Sequence, residues 1–220
     1  MELKQTNLAI AFDSASVGLR APAGASPLTF SHTCTGDDRI LFVGAFTTTG
    51  DTITGITYGG VALTQIGKIA NGTEYVYLYY LIAPATGAND IVVSWSGGSA
   101  VVRAHGVSYT GAKQSGVPDA STTNSGTSIS SIATTLTTVL DNCWTIKYCR
   151  AQGDITAGTG TTLRGTSTTS NPLDSNAAIT PAGSTTLNAN SSLSGNMATV
   201  MASFAPAVAA ATNSNFFQFM

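Results

Sequence analysis

Ionisable side chains are scarce in this chain. Asp, Glu, Lys and Arg together make up 9% of it, against about 25% in ordinary soluble domains. It has 2 His, and its only glutamates are Glu2 and Glu74. Catalysis needs titratable groups gathered and perturbed by one another. Paired carboxylates for glycoside hydrolysis would have to come from Asp alone, because Glu2 is terminal and Glu74 begins a strand-like run. No Gly-x-Ser-x-Gly, Walker or dinucleotide-binding pattern is present, and Gly158-Thr159-Gly160 stands alone as a loop signal. The expectation is a protein without enzymatic activity and without a cofactor. Basic residues number 9 against 11 acidic ones, and the pI is near 5.5, which excludes a basic nucleic-acid-binding surface. No apolar run reaches the 18 or so residues of a membrane span. The longest, Val76 to Ala83, stops at Pro84. Met1-Glu2-Leu3-Lys4-Gln5 lacks a basic stretch followed by an apolar core, so a protein made in a cytoplasm, without a secretory signal, is expected.

Cysteine is nearly absent too. Cys143 and Cys149 lie on one strand-like run, ~20 Å apart at about 3.3 Å per residue. A disulfide needs Cα atoms within roughly 7 Å. Cys34 has either as a geometric option, but the odd count favours buried, reduced thiols. His32 and Cys34, two residues apart, are too few ligands for a metal, and no Cys-x-x-Cys or Cys/His spacing supports one.

What the chain does contain is β-structure. Hydrophobic residues reach 43%, which a disordered chain lacks. Thr and Ser supply roughly a quarter of the residues. Runs rich in Val, Ile, Thr, Tyr and Phe suit pleated, half-buried strands. They are Asn7 to Asp13, Pro27 to Thr33, Arg39 to Thr47, Ile53 to Tyr58, Ala62 to Ile69, Glu74 to Ile82, Asp90 to Ser96, Ala100 to Thr110, Cys143 to Arg150 and Asn196 to Ala205. Gly50-Asp51, Gly59-Gly60, Asn71-Gly72 and Gly97-Gly98 punctuate them. Asn71-Gly72 is a hairpin signal, because both turn positions tolerate positive φ. Ile129, Ile132, Ala133, Leu136 and Leu140 fall at helical spacing, but Thr and Ser fill the gaps, so strand is favoured over a short helix. Gly153 to Asn196 reads as short strands and long surface loops. Ile40 to Val43 and Val76 to Ile82 are apolar on both sides and read as central strands, with a loop or a neighbouring subunit over the outer face. The strands Ala100 to Tyr109 and Asn142 to Arg150 alternate, which implies one packed and one wetter face.

Ile56 to Thr64, Val76 to Gly87, Ile91 to Gly97 and Val107 to Gly111, closed by Asn196 to Pro206, resemble a β-sandwich domain common in phage virion, metagenomic and bacterial surface proteins. The resemblance covers nearly the whole chain but carries no catalytic signature. It implies a jelly-roll-like or concanavalin-like sandwich of roughly 10–14 strands. The resulting expectation is an all-β chain forming a single antiparallel β-sandwich of jelly-roll type with long Thr/Ser/Gly-rich loops. Residues 1–209 would form the sandwich and 210–220 a C-terminal aromatic tail.

Phe216, Phe217, Phe219 and Met220 follow a polar Thr212-Asn213-Ser214-Asn215 spacer. An exposed aromatic terminus is an aggregation hazard, so it is expected to dock on its own domain or on a neighbouring subunit. Arg103, His105 and Tyr109 share one strand face and form a weak candidate ligand patch. Structural pairing or plain exposure is the competing expectation. Asp37-Asp38-Arg39, the only acidic cluster, reads as a solvated turn. Tyr58, Tyr75, Tyr77, Tyr79, Trp95, Tyr109 and Trp144 are candidates for a sugar platform, with core packing as the default. The functional expectation is a structural protein of a phage-like virion (capsid decoration, head fibre or tail surface). It would be a homo-oligomer that contacts other virion proteins, with no nucleic acid and no membrane. A glycan-binding module or an extracellular filament subunit is the alternative.

Overall fold

The computed structural model describes residues 7–97 and 100–209, with 20–23 and 100 as backbone alone. Its strands form three antiparallel sheets. The middle sheet runs in the order β1 (Ala11–Gly24), β9 (Ala100–Thr110), β3 (Ile40–Thr47), β7 (Glu74–Ile82), β6 (Thr64–Asn71). A second sheet contains β2 (Leu28–Cys34), β8 (Gly87–Trp95), β4 (Ile53–Tyr58) and β5 (Val61–Ala62). The third contains β10 (Ala120–Thr137), β15 (Ser184–Phe204), β11 (Trp144–Arg150), β14 (Ser170–Asp174) and β13 (Thr162–Leu163), with β12 (Ile155–Ala157) paired to β15. This is the all-β, antiparallel, sandwich-like fold that the strand runs imply.

The middle sheet explains the strands that are apolar on both sides. In β3 all eight residues are buried. Ile40, Phe42 and Phe46 pack with Trp144, Ile146, Tyr148 and Val200 of the third sheet. Leu41, Val43 and Ala45 pack with Ile56, Ile91, Val93 and Trp95 of the second. β7 divides in the same way, with Val76 and Leu78 on one side and Tyr77 and Tyr79 on the other. Each fully buried Val, Leu, Ile or Phe contributes about 1.5–3 kcal/mol, so both faces add to stability. The cover expected from a loop or a neighbour is supplied by the chain's own second sheet. Glycine permits the closest approach: a methyl group on Gly44 would collide with the Tyr148 ring of the facing strand.

The same layering corrects the expectation of a wetter face on β9 and β11. Val102 and Ala104 of β9 face the second sheet, while Val107 and Tyr109 face the third. In β11 every residue but Arg150 is buried. Its outer face is covered because the β10–β15 ribbon folds back on itself. The pairing register breaks between Gly126 and Ser131. Beyond the break, Thr134 Oγ1 lies 2.8 Å from Thr199 Oγ1, and Asn124 Nδ2 donates to the Ala133 carbonyl at 2.7 Å. The fold-back encloses Ile132, Cys149, Ile155, Leu173, Ala189 and Met197. The Ile129–Leu140 segment is therefore strand over most of its length, within β10. The Gly153 to Asn196 stretch is more ordered than its composition suggests, since Ser170–Asp174 is buried throughout.

Candidate functional site: polar networks on the two faces of β9

Arg103, His105 and Tyr109 do share one face of β9, but that face lies between sheets and not in water. Tyr109 and His105 are 0% and 1% exposed. Tyr109 donates its hydroxyl hydrogen to Asp174 Oδ2 at 2.7 Å, and Arg164 Nε donates to the same oxygen at 2.7 Å. The Asn176 amide donates to Asp174 Oδ1 at 3.0 Å. Burial, reinforced by Asp174, pushes the Tyr109 phenol well above its ordinary range. The Arg164 guanidinium stacks on Phe12, 4.2 Å from the ring centre. His105 Nδ1 is 3.3 Å from the Tyr148 hydroxyl, whereas its enclosed Nε2 has no hydrogen-bond partner. Burial, and then the Arg103 charge, lower the imidazole to about 3. Arg103 donates to the hydroxyls of Ser167 and Thr169. The three residues therefore diverge along the segment that carries β14, Arg103 to its start and Tyr109 to its end. They tie the middle sheet to the third, and of the three only His105 lines a hollow, of about 120 Å³, with Val17 and Arg164. Asp174 and Arg164, their key partners, were not legible in the sequence because some 60 residues separate them from β9.

The other face of β9 carries a longer chain of bonds. Ser16 Oγ is 2.8 Å from His32 Nδ1, His32 Nε2 is 3.0 Å from Ser108 Oγ, and Ser108 donates to Asp13 Oδ2 at 2.7 Å. Thr35 also donates to Asp13 through its amide, at 2.9 Å, and through its hydroxyl. With Ser108 donating to the carboxylate, its oxygen accepts from His32 Nε2–H, and Nδ1 accepts from Ser16. Hydroxyl, imidazole, hydroxyl and carboxylate in series resemble an activated nucleophile. The Ser16 hydroxyl, however, points at Gly106, where a Cβ would lie 3.1 Å from it and 2.6 Å from Ile91. On that side the hydroxyl is packed, although Ser16 itself is half-buried and lines the same hollow of about 120 Å³ with Val17, His105 and Arg164. Burial lowers His32 to about 4, partly offset by Asp13. The network binds β1, β2 and β9 together, and it leaves neither ring nitrogen of His32 free for the metal pairing with Cys34 weighed above.

The remaining candidates resolve in the same direction. Tyr58, Tyr77, Tyr79, Trp95, Tyr109 and Trp144 are all buried. The half-buried Tyr75 ring is covered by Lys68 Nζ at 3.9 Å. These rings form core and not a sugar platform. Cys34, Cys143 and Cys149 are buried and free. Among the described residues no group of three or more His, Cys, Asp or Glu is placed to hold a metal. Asp37 and Asp38 form the expected turn, where their carbonyls accept the Gly111 and Ala112 amides. Phe216, Phe217, Phe219 and Met220 lie outside the described residues. Besides the hollow beside His105, two concavities mark opposite ends of the layers. One is a groove of about 500 Å³ beside Val139, Leu140 and Val208, and the other is a polar cup of about 160 Å³ beside Glu74 and Arg150.

These observations define a class: an antiparallel all-β protein in which the polar groups around β9 serve packing. No family model, curated protein or solved structure matches the chain.

Proposed function

We propose that the protein is a non-enzymatic structural subunit of a phage-like particle, at the capsid or tail surface, and that it acts through assembly. The observation that carries this reading is the free edge of the middle sheet. Among the described residues, β1, 14 residues long, is paired on one side only, with β9. It exposes Phe12, Val17 and Leu19 at 36%, 44% and 48%. A long apolar edge is a template for another strand unless charge, proline or a covering segment blunts it. Asp13 bounds the open part of β1 on one side and Arg20 and Pro22 on the other, and the six residues from Ser14 to Leu19 carry neither charge nor proline. The low overall charge also suits dense packing without strong self-repulsion. The jelly-roll type, the virion location, homo-oligomerisation, contacts with other virion proteins and the docking role of Phe216, Phe217, Phe219 and Met220 all belong to this proposal.

The test is a charged edge. Wild-type protein should form discrete symmetric oligomers, seen by light scattering and electron microscopy. A Val17→Lys, Leu19→Lys double variant should remain monomeric with an unchanged circular dichroism spectrum. Oligomers that survive both substitutions, or a wild-type protein that stays monomeric at every concentration, would remove the edge from the assembly. Mass spectrometry of particles purified from the source tests the virion placement, with a stoichiometric amount of this chain as the expected result.

A further inference from the structure

The polar cup lies where the β6–β7 hairpin turn meets the C-terminal end of β11 and the middle of β15. It is lined by Asn71, Thr73, Glu74, Arg150, Gln152 and Asn196 and has a volume of about 160 Å³. At the roughly 30 Å³ that each water occupies in the liquid, that is space for about five waters. Its chemistry is balanced. Arg150 Nη2 and Glu74 Oε1 form an ion pair at 2.7 Å, with side chains only 12% and 18% exposed. Asn71, 6% exposed, donates to the other Glu74 oxygen at 3.4 Å. The guanidinium is fixed from behind by the Phe46 ring, 4.5 Å from its centre, and by the carbonyls of Ala151 and Thr169. Its Nε is buried without a partner.

We propose that this cup is a binding subsite for a neutral polyhydroxyl ligand, the vicinal-diol edge of a single sugar ring. A free anion would meet the Glu74 carboxylate and a free cation would meet Arg150, so the ion pair disfavours both. Gln152 and Asn196 each bring one amide oxygen and two N–H donors in a plane, while the Asn71 amide is held by Glu74 at the edge of the cup. Adjacent sugar hydroxyls are each donor and acceptor at once, and such a mixed set of fixed donors and acceptors matches them. A fully polar lining gives little to an apolar peptide side chain. The site does not use the edge strand β1, so it stands or falls separately from the assembly reading.

The test has two arms, because the same diol chemistry is presented by a free monosaccharide and by the terminal ring of a surface glycan. Neutral and acidic monosaccharides are titrated into the protein and followed by saturation-transfer NMR, and the protein is applied to a glycan array. Neutral hexoses should bind weakly, with dissociation constants in the millimolar range expected of a few hydrogen bonds. Array signal confined to neutral terminal rings would identify the surface source. Signal from free sugars alone would identify the soluble one. Gln152 is exposed, so a Gln152→Ala, Asn196→Ala variant should keep the wild-type unfolding midpoint and lose binding by roughly tenfold or more. Glu74→Gln should move the preference toward acidic sugars, since it leaves Arg150 unpaired. The proposal is overturned if wild-type protein binds no neutral sugar at tens of millimolar, if it prefers acidic ligands, or if the double variant binds as well as wild type.

Discussion

His32 and His105 are 2% and 1% exposed, and burial holds them at about 4 and about 3, below the usual 6.5. Both are therefore neutral in the folded protein at pH 7. In the unfolded chain they take up protons as the pH falls through 6.5, whereas the folded state resists until about 4 and about 3. Between those limits the unfolded state binds more protons, so stability falls with falling pH. The loss is on the order of 3 kcal/mol per imidazole by pH 4. Asp13, whose carboxyl is lowered by the Thr35 and Ser108 hydrogen bonds against an opposing burial effect, adds to the loss further into acid. Urea unfolding at neutral pH and near pH 4 should show this slope, and His105→Phe should flatten it. A wild-type protein equally stable at both pH values would mean that the imidazoles are not held neutral. Neither burial was evident from the residues alone. An alternating strand with Arg and His on one face reads as half-wet, and only the third sheet makes that face interior.

At the scale of elements, the fold-back of β10 and β15 is the least expected feature and the most open to test. Lys147 of β11 is fully buried beneath it and donates to the carbonyls of Ile132, at 2.9 Å, and Leu187, at 3.0 Å. Burial lowers its amine to about 8, slightly opposed by Cys149. Lys147→Met removes both donors and leaves two carbonyls unmatched, at a cost of about 2 kcal/mol at pH 7. The cost should grow between pH 8 and about 10.5. In that window the unfolded lysine stays protonated while the folded one releases its proton, so wild type is relieved of the buried charge and the variant has none to relieve. Urea midpoints of the pair across this range provide the measurement, and a constant difference would mean that burial does not lower the Lys147 amine. Single elements were largely legible. Glu74–Ile82 and Ala100–Thr110 have the bounds that their Val, Ile and Tyr content and flanking turns imply. Ser184–Asn196, within a stretch that reads as short strands and long loops because Thr, Ser and Asn carry little hydrophobic alternation, is continuous strand because β10 and β12 pair with it. Pairing partners some 30 to 60 residues away leave little trace in local pattern.

At the scale of the molecule, three sheets satisfy one another across two interfaces, and the apolar surface left over is concentrated in few places. One is the β1 edge. Another is the end of the chain's described part, where Leu8, Val139, Leu140 and Val208 are exposed at 39%, 63%, 42% and 42%. There Asn7 bridges Val208, and the Leu8 amide donates to Ala207 at 2.8 Å. Among the described residues, both main cores fall between Ile10 and Phe204. Deleting Asn213 to Met220 should leave a folded domain, with its near-ultraviolet spectrum, and the urea midpoint and oligomer then report where the tail docks. If Phe216, Phe217, Phe219 and Met220 dock on a neighbouring subunit, the same deletion abolishes the oligomer seen by light scattering. If they dock on their own domain, the oligomer survives and the midpoint falls. Assembly at wild-type strength together with an unchanged midpoint would take the tail out of both roles and leave the β1 edge to carry assembly alone.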